Sequence, residues 1–221
     1  MSEWWTYRLS DLILFSRDVY YGTFALYHRG IWPAHIVLVV MVTLAAVACR
    51  RARDDASRGR IVLGLFSLSW VWIALAFHAH RYATINWAAR YFAGAFILQA
   101  ALLVWLGLRR RVALNAGSLR LLLLGLLVLA VGALVAGLMT GRQWDQVELH
   151  GLTPDPTATV TVLMLGLSSP RVTRLARVIP VLWCLVGGLT LFALHSPEAW
   201  WTWAGPLLVL VYTARMRRGS A

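Results

Sequence analysis

The stretch RRRVALNAGSLRLLLLGLLVLAVGALVAGLMT, residues 109–140, joins a cluster of arginines to a long uninterrupted apolar run. From Leu121 to Met139 no side chain is charged or carries a hydrogen-bonding group. A helix on the surface of a soluble protein keeps one polar face, and this segment has none. About twenty apolar residues cross a ~30 Å hydrocarbon layer, so the run reads as a transmembrane helix.

The same arrangement repeats along the chain. Fifteen of the twenty-one arginines lie in four clusters, at 50–60, 109–120, 171–177 and 215–218. Each cluster flanks an apolar run. The runs are 31–49, 61–77, 85–108, 119–140, 157–169, 178–194 and 199–214, which predicts seven spans. Basic residues mark cytoplasmic loops, so all four clusters fit an N-out, C-in chain. The acids follow the opposite rule. Only Asp54 and Asp55 fall on the arginine side, whereas Glu3, Asp11, Asp18, Asp145, Glu148, Asp155 and Glu198 fall on the other. The fifth run is short, since thirteen residues between Pro156 and Pro170 rise only ~20 Å. Its outer end is expected below the membrane surface.

Composition supports this class. Apolar residues make up 60% of the chain, charged residues 14%, and the mean hydropathy is +0.67. A soluble domain carries about 25% charge. The net charge of +12 would suit nucleic acid if it lay on one soluble face, but here it is divided among span ends. Nucleic acid is therefore not an expected partner. The expected environment is the lipid bilayer of a bacterial cytoplasmic membrane, with anionic headgroups near the arginines. The chain has no lysine, which excludes Schiff-base chemistry. Cys49 and Cys184 form no disulfide pattern, and no phosphate loop, Ser/His/Asp set or HExxH occurs.

Residues 1–30 read as an amphipathic interfacial segment, separate from a transmembrane bundle over 31–221. Charges at Glu3, Arg8, Asp11, Arg17 and Asp18 exclude a signal-peptide core. Ser16 is placed to cap a helix carrying Tyr20, Phe24, Tyr27 and His28 at helical spacing, and Gly30 and Pro33 break it. Trp32, Trp87 and Trp144 are expected at the outer boundary, and Trp70, Trp72, Trp105 and Trp183 between helices. Arg60…His78 can also be laid on Arg177…His195 without a gap, as an internal repeat of three spans would require.

Candidate functional residues are the polar groups beside or inside apolar runs. Asp155, in Thr153-Pro-Asp-Pro-Thr157, reads as the N-cap of the short fifth helix with Pro156 at its first position. A carboxylate below the surface also suits a proton or a cation. Arg90 lies a turn inside the third span and requires a carboxylate partner, with Asp145, Glu148 and Asp155 as candidates. His78 and His80 sit at the outer turn, where i and i+2 point to opposite helix faces. His35 and His195 are the other histidines near span ends. Pairs such as His78 with His195, or His35 with His78, are the ones a bis-histidine haem would use.

Several segments resemble a family of small bacterial polytopic membrane proteins classified only as a domain of unknown function. They are Ser2-Glu-Trp-Trp5, Ile31-Trp-Pro-Ala34, Ile85-Asn-Trp-Ala-Ala89, Gly141-Arg-Gln-Trp144 with Glu148, Pro154-Asp-Pro-Thr157 and Ile179-Pro-Val-Leu-Trp-Cys184. The resemblance implies a polytopic helical fold and no particular activity.

Together these features predict an all-α membrane bundle without a resident cofactor. The leading functional expectation is a permease or binding protein for a small solute or ion, with an outward polar vestibule. Asp155 would bind the coupling ion, Glu148 and Arg90 would line the path, and His78 and His195 would gate it. A haem- or metal-binding redox protein is the first alternative. The second is an accessory or sensor subunit that assembles with a membrane partner or with copies of itself.

Overall fold

The computed structural model describes residues 13–168, 170–196, 199, 202, 203 and 207. Residues 1–12 and most of the expected seventh span lie outside the described residues. Those described form helices and connections, with no strand among them. Helix α1 is Arg17–Gly30, and Ser16 caps it by accepting from the Val19 amide at 3.3 Å. Helix α2, Trp32–Arg51, begins after Ile31 with Pro33 in its first turn, where a missing N–H costs nothing. Asp54 opens α3, Asp55–Trp72, by accepting from the Ser57 amide at 2.7 Å. This helix continues as a π-helical segment, Ile73–Arg81, and one 3-10 turn, Tyr82–Thr84.

Helix α4 is Ala89–Leu108, and α5 is Ala116–Met139, capped by Asn115. A connection over 140–153 leads into α6, Pro154–Gly166. The short α7, Pro170–Thr173, and a 3-10 turn then precede α8, Val178–Ala193. Five helical stretches are long and apolar enough to cross a membrane: Trp32–Arg51, Asp55–Thr84, Ala89–Leu108, Ala116–Met139 and Leu175–Ala193. They coincide with five of the expected runs. The fifth run corresponds to α6, whose 13 residues are too few to span a ~30 Å layer alone.

The two ends of the bundle are chemically distinct. At one end the Arg110 guanidinium donates to Asp54 at 2.7 Å, and the Leu114 amide donates to the Asp55 carbonyl at 3.0 Å. These bonds bring the first two arginine clusters to the same end. At the other end Arg29, closing α1, pairs with Asp145 at 2.8 Å. The acids of the 140–153 connection thus lie opposite these two arginine clusters.

The centre is α3 against α4, with α6 and α8 packed beside them. Trp70, Phe66, Phe96 and Leu103 are fully buried there, and the Trp70 and Phe96 rings lie 4.3 Å apart. In lipid such packing is held by van der Waals contact and interhelical hydrogen bonds, since a lipid tail is as apolar as leucine. Gln99 of α4 donates to the Ala176 carbonyl at 2.9 Å, and Trp70 of α3 donates to Thr161 of α6 at 3.0 Å.

Helix α1, the described part of the expected interfacial segment, packs against the bundle. Phe24 is fully buried and stacks on Phe77 at 5.2 Å, so the helix shares one core with the bundle. One expectation needs correcting: Trp105 is half exposed on α4, whereas Trp70 and Trp183 are buried between helices as expected. The partly exposed Trp72 donates to the Tyr27 hydroxyl of α1 at 2.8 Å. Helical spacing cannot distinguish a lipid-facing indole from a buried one when every position is apolar.

Candidate functional site

The site is built on the first turn of α6. Thr153 occupies the N-cap, with no side-chain cap bond, and Pro154 is the first helical residue. Asp155 therefore lies within the first turn rather than capping it. It remains at the positive end of the helix, a position that favours an anion. Its Oδ1 accepts from Trp183 Nε1 of α8 at 2.8 Å. Its Oδ2 is buried and has no hydrogen-bond partner.

Gly187 of α8 allows this approach, because a Cβ there would lie 2.6 Å from Asp155 Oδ1. Gly187 is about six residues short of the end of α8, so the carboxyl sits roughly 9 Å below that end. The short fifth helix thus starts inside the bundle, as its length predicts. Threonines satisfy the rest of the turn. Thr157 accepts from the Gly151 amide at 2.8 Å, and Thr157, Thr159 and Thr161 each donate to the carbonyl four residues before.

Glu148 comes from the 140–153 connection and meets this carboxyl. Its Oε2 is buried without a hydrogen-bond partner. Burial holds its carboxyl well above the usual carboxylate range, and the nearby Asp155 raises it further. Arg142 opposes that shift and stands over the Tyr21 ring at 4.5 Å. Arg142, Glu148, Asp155, Tyr21, Thr159 and Thr202 line a cavity of about 100 Å³, with α5 as its apolar wall.

A second cavity, of about 50 Å³, lies on the other side of Trp183 and Gly187. Tyr82, Asn86, Phe92 and Thr190 in its wall also line a groove of about 360 Å³ beside the turn joining α3 to α4. The groove and the small cavity therefore adjoin. Trp183, hydrogen-bonded to Asp155, stands between them and the carboxyl pair.

His78 is fully buried in the π-helical segment, and neither ring nitrogen has a hydrogen-bond partner. π-Segments often occur at functional positions. Phe96 and Trp183 cover the imidazole at centroid distances of 4.4 and 4.8 Å. His80, two residues on, is exposed, as opposite faces require.

The sequence-predicted residues therefore divide. Asp155 and Glu148 meet in one cavity, and His78 lies one indole behind them. Arg90 is exposed on α4, and His195 is exposed at φ 53° after α8; neither lines the cavity. Asp145, a candidate partner for Arg90, is taken by Arg29. The different surroundings of His78 and His195 also give no support to an internal repeat.

Arg142 and Trp183 were not singled out as site residues. Arg142 carried a signal, because it is the one arginine in the acidic 140–153 connection. Trp183 carried none beyond a buried indole's need for an acceptor. His28 and His35 form a further contact, Nδ1 to Nε2 at 2.9 Å, near the acidic end. Among the described residues no group of three or more His, Cys, Asp or Glu is arranged to hold a metal ion.

A model of a family of unknown function, DUF6064, matches residues 17–219. No curated protein and no solved structure matches the chain.

Proposed function

The chain belongs to the DUF6064 family, and we propose that it is a multi-pass protein of the bacterial cytoplasmic membrane that binds and passes a small solute or ion. In this reading it has seven spans, with the N-terminus outside and the C-terminus inside. The support is the arginine-rich end opposite the acidic end, together with five helices of spanning length. The seventh span rests on the sequence alone.

One observation carries the functional part. Two carboxyl groups, each with a buried oxygen lacking a partner, meet at a helix N-terminus inside the bundle. Ionisable groups at such depth are costly and mark ion or proton pathways. The pair neighbours one guanidinium, Arg142, so two ionised carboxylates would leave one uncompensated charge. A proton or a small cation supplies that charge, and a cavity of about 100 Å³ suits such an occupant. The groove beside the α3–α4 turn serves as the outward vestibule, with the Trp183–Asp155 bond as its closure.

The test uses the purified protein in liposomes under imposed Na⁺, K⁺ and proton gradients, read by ion-sensitive dyes. At least one gradient should dissipate faster than in empty liposomes. Asp155→Asn keeps the Trp183 acceptor oxygen, so it should fold normally and abolish the flux. Unchanged flux in a normally folded variant would sink the assignment.

A further inference from the structure

We propose that the groove bounded by α2, α3 and α5 is a binding site for one anionic phospholipid of the leaflet at the arginine-rich end. The inference rests on the membrane placement above but not on any transport activity.

The groove has a volume of about 510 Å³, within the ~300–1,000 Å³ range of small-molecule sites. Its floor is α3 at Val62, Leu65 and Phe66, and its sides are α2 at Val42 and Ala46 and α5 at Leu122 and Leu126. Its walls are apolar over about two helical turns, which suits an acyl chain. At one end the lining changes to Arg50, Arg58 and Arg120, one from each helix. His150, packed on Phe66 at 5.1 Å, also lines the groove.

The three arginines are not equivalent. Arg58 pairs with Asp55 at 2.5 Å and donates to the Cys49 carbonyl at 3.2 Å, so it is held in place. Arg50 and Arg120 are exposed, and no hydrogen bond or ion pair to described residues engages either. No acid lines the groove. Two uncommitted guanidiniums therefore stand at the mouth of an apolar slot. That arrangement complements a phosphodiester carrying a hydrocarbon tail, since guanidinium forks match phosphate oxygens.

The helices beside the groove bury little against the rest of the protein. Cys49 is the buried residue of α2, and Leu122 and Gly137 are those of α5. Neither helix packs tightly on the other across the gap, and a bound acyl chain would tie both to α3.

The experiment is native mass spectrometry of the full chain released from micelles after exchange into phosphatidylglycerol or phosphatidylcholine. Phosphatidylglycerol should be retained as a single adduct and phosphatidylcholine far less. Each arginine near an anionic surface contributes about five-fold, so Arg50→Gln with Arg120→Gln should weaken retention about 25-fold. Ala46→Trp, which fills the slot and leaves the charges, should also remove the adduct. Equal retention of both lipids, unchanged retention in the double variant, or unchanged retention in Ala46→Trp would each overturn the proposal. So would a dimer whose groove is covered by a second copy. Because the protein need not move any ion, loss of the lipid adduct and loss of flux are separate failures.

Discussion

Helices α5 and α6 are neighbours, yet their composition and burial run in opposite directions. The apolar α5 buries Leu122 and Gly137 among its 24 residues. The 13-residue α6 carries Asp155 and three threonines and buries all but Pro156 and Leu163. In water the apolar helix would be inside and the polar one would face solvent. The reversal is what a lipid solvent produces. Lipid accepts leucine on the outside, and polar side chains are retained inside where they find partners. The two helices approach closely at Gly125, where an added Cβ would lie 2.5 Å from Leu163 Cδ2 and would push that leucine aside.

The largest expected effect comes from cutting the polar helix away from its neighbour. Trp70 is fully buried between α3 and α6 and holds Thr161 by a hydrogen bond. Trp70→Ala should destabilise the protein by about 4 kcal/mol, from the cavity it leaves and the lost bond. Trp105 is 48% exposed on α4, and Trp105→Ala should cost less than about 1 kcal/mol. Thermal unfolding of both variants in the same detergent compares the two directly. Similar losses would show that the centre and the periphery do not differ as the burial pattern says.

A somewhat smaller effect probes what lies outside α5. Leu127 is 60% exposed at the middle of that helix. If water covered it, Leu127→Asp would change stability by about 0.5 kcal/mol or less. In a bilayer the same change should cost about 3 kcal/mol, the scale for a carboxylate at the centre of a span. Yield in the membrane fraction and unfolding in nanodiscs are the measurements. A neutral outcome would remove the lipid-facing assignment of α5.

The sequence revealed this contrast unevenly. Apolar run length is a local property, so five of the expected runs reappear as helices of spanning length. The shortness of α6 is equally local, and with it the burial of Asp155. Partnership is not local. Arg90 and Arg142 are both arginines near outer turns, and only the fold decides that Arg142 reaches Glu148 while Arg90 stays exposed. The π-helical segment at 73–81 was also illegible; its Phe77 and His78 meet Phe24 of α1 and Trp183 of α8, partners that only the fold brings together. The aromatic spacing of Tyr20, Phe24 and Tyr27 indicated an amphipathic helix. Whether its apolar face meets lipid or protein is settled by Phe77, some fifty residues away.

The smallest net effect in the unmodified protein comes from two buried titrating groups at the acidic end, which pull stability in opposite directions over one pH range. Burial, and then the neighbouring His35, lower the His28 imidazole from 6.5 to about 4. The unfolded chain takes up that proton as pH falls below 6.5, and the folded protein does so only near 4. His28 therefore favours folding above 6.5, and its contribution is lost as pH falls from 6.5 towards 4. Glu148 works the other way, because its carboxyl is raised above the ordinary 4.5. Its contribution is complete below 4.5 and is lost as pH rises through the folded value. In the unmodified protein the two trends offset each other between 4.5 and 6.5. His28→Gln should unmask the Glu148 trend, with a melting temperature that falls as pH rises through this range. Glu148→Gln should unmask the His28 trend, with a melting temperature that falls as pH drops. Identical slopes in the two variants would mean that neither side chain is held in its neutral form by the fold. The acidic end would then owe its burial to the Arg29–Asp145 pair and the aromatic packing of α1 alone.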